Sequence, residues 1–240
     1  MNIFSPSITA GNRNHGLFWG SSQKEIFNTA GYGIKYDSSL GSRYSSGYIF
    51  GTGLPFFLRN ERDYKSSNVL EFPLHIMDAA LPVEFGGENG FEKSLSYIAG
   101  FIRKSKELYF SIITADFHYV FLTHKSRKIN NLKTYLDFLK NIKDAGLLAE
   151  SMDYFNNFWR QRLLIKLTSQ WHCKNNLLTV TLSHYCSHFK YGFLIPKSHK
   201  NNTISECCAY PSITIDNRDY LIVESSPGKE FRFTYENTEK

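Results

Sequence analysis

A chain of 240 residues with 42% hydrophobic and 16% aromatic content can bury the core of one ordinary domain plus a small appendage, which excludes the disordered class. Its formal charge of +6 is spread out: the clearest local run, Arg103, Lys104 and Lys106, falls on an expected helix surface, and a basic average without a basic stripe argues against a nucleic-acid partner. No stretch approaches the ~18 apolar residues of a membrane span, residues 1–10 lack a signal-peptide pattern, and Cys173, Cys186, Cys207 and Cys208 form no C-x-x-C pair, so a cytoplasmic chain with reduced thiols and no membrane partner is expected.

Ser22-Gln23-Lys24-Glu25 is a capping-box pattern. It predicts a short helix with Ile26, Phe27 and Ala30 on its apolar side and Gly31 at its end. Residues 32–36 read as a strand. From 37 to 55 the chain is rich in Gly, Ser and Tyr, the texture of a long ordered loop, and such loops inside packed domains usually carry function. Residues 69–77, with Leu70-Glu71-Phe72-Pro73-Leu74, form the next strand candidate. After a loop at Gly86, Gly87 and Gly90, a helix is expected between 94 and 114, where Leu95, Ile98, Ile102 and Leu108 recur at helical spacing. Residues 118–124 alternate as a strand does, with His118, Val120, Leu122 and His124 on one face. Leu132, Leu136, Leu139 and Ile142 set a helix over 131–145 that Gly146 stops. Ser151 caps another, carrying Tyr154, Phe155, Phe158 and Trp159 and ending near 160–163.

This strand–helix alternation predicts an α/β layer arrangement over residues 1–167. Short β-rich runs follow at 177–182, 191–195, 212–215, 220–223 and 230–235. The turn formers Asn175-Asn176, Asn201-Asn202, Asp216-Asn217 and Pro227-Gly228 separate them, which predicts a small antiparallel β domain over 168–240.

Several words in the first part occur in a telling order. Arg13-x-His15 precedes Gly31-Tyr32-x-x-x-Tyr36-Asp37-Ser38-Ser39-Leu40-Gly41, then Gly47-Tyr48-x-Phe50-Gly51-Thr52 and Pro55-Phe56. Leu70-Glu71-Phe72-Pro73-Leu74-x-x-Met77-Asp78, Leu122-x-His124 and Trp159-Arg160-Gln161-Arg162 follow. Over about residues 10–165 this series resembles polysaccharide deacetylases of the NodB-homology type, in particular the branch associated with surface polysaccharides. The resemblance implies a distorted (β/α) barrel, here partial, with its reactive groups at the C-terminal strand ends. It also implies metal-dependent hydrolysis of N-acetyl groups on sugars, with zinc or another divalent metal held by an aspartate and two histidines. By motif, His124 would be the acid that protonates the leaving amine, and Leu122 would line the acetyl pocket. Arg13 would hold the base carboxylate by a charge-assisted hydrogen bond. Asp37 or Asp78 could orient an active-site histidine. His15 and Tyr48 would contact substrate.

In the family the metal-binding Asp-Asp and His-x-x-x-His words precede the Arg motif. Here only twelve residues precede Arg13, and residues 2–12 hold neither acid nor histidine. The expectation is therefore half of an active site, without metal ligands and weak or inactive as this chain, with a partner covering the sheet edge that absent strands would expose. The second reading is a non-catalytic carbohydrate-binding protein. Each site residue also has a plainer role open to it: His124 in the core, Asp37 in an Asx turn, Asp78 as a strand-end cap, Arg13 and His15 on the surface. His184, Cys186 and His188, with Cys173, offer nitrogen and sulfur ligands, though at no common zinc spacing.

Overall fold

The computed structural model describes residues 10–17, 33–59, 64–86, 90–123, 131–183, 189, 191–199, 202–204, 210–215, 217–224 and 230–237. They form a mixed α/β protein with several sheets, none of which closes on itself among the described residues. The chain divides into two units, Met1–Asn156 and Asn157–Lys240. The expected helix over 22–30 lies outside the described residues. Among the described residues no helix is long and apolar enough to cross a membrane.

In the first unit, β1 (Gly11–Asn12), β2 (Tyr36–Asp37), β3 (Phe56–Arg59) and β4 (Ser66–Glu71) make a sheet of order β1-β2-β4-β3. β1, β2 and β4 run parallel, with Asn12 beside Asp37 and Asp37 beside Glu71. β3 returns antiparallel. The run read as one strand over 69–77 is two. β4 ends at Glu71, and β5 (Ile76–Met77) pairs with β6 (Ala115–Asp116) in a separate parallel pair. The backbone donors explain the break. Phe72 N–H still reaches Asp37 O and Leu74 N–H reaches Leu40 O, Pro73 between them has no N–H, and His75 N–H turns to Thr114 O. The chain thus leaves one sheet and joins the next.

α1 (Leu81–Glu84) and α2 (Gly90–Lys104) pack over β5. Ile76, Leu81, Ile98, Phe101 and Ile102 share a core with Phe138 of α4 (Asn131–Asp144). α2 covers only the first part of the helix expected over 94–114, and Leu108 is not on its buried stripe: it is 62% exposed. After Lys104 the chain widens into a π turn, Ser105–Tyr109, whose i+5 bonding rotates later residues off the face, and Phe110 closes it in the left-handed region at φ 47.

Residues 119–123 are helical, as α3 (Tyr119–Thr123), not extended. α4 likewise forms as predicted with a different inner face. Thr134 and Phe138 are buried, whereas Leu132, Leu136 and Leu139 are 47%, 54% and 39% exposed.

α5 (Met152–Leu164) carries Tyr154, Phe155, Phe158 and Trp159. Beyond it, the second unit is all antiparallel. β7 (Lys166–His172), β8 (Leu177–Ser183), β10 (Ser198–His199), β11 (Asn202–Ile204) and β14 (Glu230–Asn237) form one sheet. β9 (Gly192–Pro196), β12 (Ser212–Ile215) and β13 (Arg218–Glu224) form another. Alternate residues face one shared core: Val180, Ile195, Ile204, Leu221 with Val223, and Phe233 with Tyr235. Tyr235 Oη donates to Pro196 O at 2.7 Å, tying the sheets together. Asn176 and Asn217, in two of the expected turns, take positive φ of 48° and 60°, a conformation that Asn tolerates.

Candidate functional site

Polar residues converge where the parallel strands of the first unit end. Asn12, Asp37 and Glu71 are the last residues of β1, β2 and β4 and lie in register. Asp116 ends β6, and Asp78 follows β5 by one residue. The C-terminal edge of parallel strands is the usual place for a reactive cluster in α/β folds.

Arg13 joins the two groups. Its Nε donates to Ser38 O at 3.2 Å and one terminal nitrogen to Ser38 Oγ at 3.0 Å; the other pairs with Asp116 Oδ1 at 3.1 Å, with both side chains about a quarter exposed. On one flank, Asp37 is 2% exposed. It accepts Asn12 Nδ2 at 2.7 Å and the Ser39 N–H at 2.8 Å, so the Asx-turn contact exists inside a larger network. Glu71 is fully buried. Its Oε1 accepts the Leu40 N–H at 2.9 Å, and its buried Oε2 has no hydrogen-bond partner among the described residues. Burial, then the Asp37 charge, raise its pKa to about 9.

On the other flank, Asp78 is 1% exposed. It accepts the His118 backbone N–H at 2.7 Å through Oδ2 and His118 Nδ1–H at 2.6 Å through Oδ1. Burial pushes the Asp78 carboxyl up, and the hydrogen bonds from His118 oppose it. The bond at Nδ1 fixes the ring's orientation. The His118 side chain is 37% exposed, so the pair opens to solvent. The Asp78 N–H donates to Asp116 O at 3.0 Å, which sets the His118–Asp78 pair next to Arg13–Asp116.

The expected site residues are thus partly gathered. Arg13, Asp37 and Asp78 belong to this cluster, and the histidine that Asp78 orients is His118. His124 lies outside the described residues. Leu122 is half-buried on α3, and His15 is exposed in a 3-10 turn, His15–Leu17. Tyr48 belongs to a different set of contacts. Its hydroxyl donates to Ser105 Oγ at 2.5 Å and also meets Ser111 Oγ, while its ring packs on His75, Phe101 and Tyr109. His75 itself is a satisfied core histidine. Nδ1 accepts the Thr114 N–H at 3.1 Å, Nε2–H donates to Thr52 O at 3.3 Å, and burial lowers its pKa to about 4.

Against models of protein families, curated proteins and solved structures, the chain matches none.

Glu71, Asp116 and His118 do not stand out in the sequence. The available signal is that each acid is the polar residue closing a short apolar run, Val69-Leu70-Glu71 and Thr114-Ala115-Asp116. A metal does not fit the described residues: no three of their His, Cys, Asp or Glu side chains could hold an ion. Of the clustered carboxylates, Asp116, Asp37 and Asp78 are already engaged by Arg13, Asn12 and His118. Of the nitrogen and sulfur set, Cys173 is exposed, and His184, Cys186 and His188 lie outside the described residues.

Proposed function

We propose that the first unit is a partial barrel of the polysaccharide deacetylase type, and that its strand-end cluster hydrolyses an N-acetyl amide on a sugar. The observation that carries this reading is the buried Asp78 holding Nδ1 of a half-exposed His118 beside the Arg13–Asp116 pair. A carboxylate so placed stabilises the imidazolium, which can then give its Nε2 proton to a departing amine. Asp116, held by Arg13, is the carboxylate that takes a proton from the attacking water. Water oxygen bonds to the carbonyl carbon, the C–N bond breaks, and acetate and the amino sugar leave. No step is assigned to a metal.

The test is acetate release from N-acetylated sugar oligomers, measured with and without added zinc. Replacing His118→Gln is expected to lower the rate about 10²–10⁴-fold. Asp78→Asn is expected to lose part of that, since it replaces the carboxylate that accepts His118 Nδ1–H and orients the ring. Oligomer binding without acetate release, equal for the parent chain and His118→Gln, would replace catalysis by the non-catalytic carbohydrate-binding reading.

A further inference from the structure

Two buried ionisable groups of the cluster, Asp37 and Glu71, have no part in the proton transfers above. Glu71 is sealed from solvent, and three contacts define its state. Oε1 is occupied by the Leu40 N–H. Both oxygens of Asp37 already accept N–H donors, from Asn12 and Ser39. Glu71 Oε2 has no hydrogen-bond partner among the described residues, and the Asp37 carboxyl belongs to its neighbour in register across β2 and β4. Two ionised carboxylates in such a place would repel each other in a site with little water to screen them. A proton on Oε2 turns the contact into an O–H donated to Asp37.

We propose that Glu71 acts as a neutral carboxylic acid whose Oε2–H donates to Asp37, a positioning residue that locks the ends of β1, β2 and β4 together and so presents Arg13 to Asp116. The chain of contacts is continuous. Glu71 holds Leu40 and Asp37; Asp37 holds Asn12 and Ser39; Ser39 Oγ accepts the Asn14 N–H at 2.9 Å; Ser38 holds Arg13. Residues 12–14 and 37–40 are fastened on both sides of the guanidinium. The charged groups acting on Glu71 are Asp37, which disfavours its ionisation, and Arg13, which weakly favours it; β3 presents only Phe56 opposite. This goes beyond the proposed reaction, and only its effect on rate rests on that reading.

The sign of the pH dependence follows. The folded-state pKa is raised from 4.5 to about 9, so this group's contribution is greatest below 4.5 and declines as pH rises between those values.

Glu71→Gln keeps a neutral donor of the same shape and is the informative variant, and Glu71→Ala removes the donor. Infrared spectra at pH 7 should show a protonated-carboxyl band in the parent chain that Glu71→Gln abolishes. The melting temperature of Glu71→Gln should match the parent near pH 5 and exceed it by a growing margin toward pH 9, while Glu71→Ala melts lower throughout. Acetate release at pH 7 should fall in Glu71→Ala and be restored in Glu71→Gln, which keeps a neutral donor at that position. Absence of the infrared band, or a constant melting difference across pH, would overturn the neutral-acid state. Acetate release by Glu71→Ala equal to that of the parent, or a loss that Glu71→Gln does not restore, would overturn the positioning role. If the band and melting results hold while neither protein releases acetate, the hydrolytic reading fails and the neutral acid stands.

Discussion

Arg13 shows how one side chain can organise a cluster. Its planar fork spends its donors on Ser38 and Asp116, two segments that no strand pairing connects directly. A lysine supplies the charge but not the fork. Arg13→Lys is expected to cost about 1–3 kcal/mol, read as a lowered urea midpoint, and to reduce acetate release more than substrate binding. Arg13, Asp37 and Asp78 could be chosen from the sequence because each sits in a recognisable word. His118 could not. Its neighbours alternate like a strand, so it looked like one position on a face, and what distinguishes it is a carboxylate forty residues earlier. Contacts of that range leave no local trace.

At the scale of elements, the α3 region shows why local pattern failed. Val120, Phe121, Leu122 and Thr123 favour extended structure, but β6 has a partner in β5 only over Ala115–Asp116. Beyond it, Asp78 Oδ2 accepts the His118 N–H, and the next residues turn helical. A carboxylate from another element plays the part of a helix cap. The end of α4, by contrast, is legible from local residues alone. Gly146, at φ 65, donates its N–H to Lys143 O at 2.9 Å, and Leu147 N–H reaches Ile142 O at 3.1 Å, the paired bonds of a Schellman motif. Ile142 and Leu147 then pack on the same core. Gly146→Ala should cost about 1–2 kcal/mol through the left-handed conformation alone, and hydrogen exchange should report the loss as faster exchange at the last turn of α4.

For the whole molecule, the division between β-rich and helical texture could be read because alternation in β8, β13 and β14 is clean: Val180 and Leu182, Leu221 and Val223, and Phe233 and Tyr235 point inward. β7 was not legible at all, and the first strand expected was at 177–182, because the residues from Lys166 to Trp171 are exposed and no burial imposes a pattern on them. Leu221 is fully buried at the centre of the second unit's core. Leu221→Ala should lower stability by about 2–5 kcal/mol, followed by the fluorescence of Trp171, whose ring meets Tyr235 in that unit. The Glu71–Asp37 contact also has a meaning for the chain as a whole. At neutral pH the folded protein holds on Glu71 a hydrogen ion that the unfolded chain has given up to water, since 7 lies between 4.5 and about 9. The hydrogen ion is then a ligand of the native state, as a metal or cofactor would be. Unfolding at pH 7 should acidify its surroundings by about one equivalent from this site, and the calorimetric enthalpy should vary with the ionisation heat of the buffer that absorbs it.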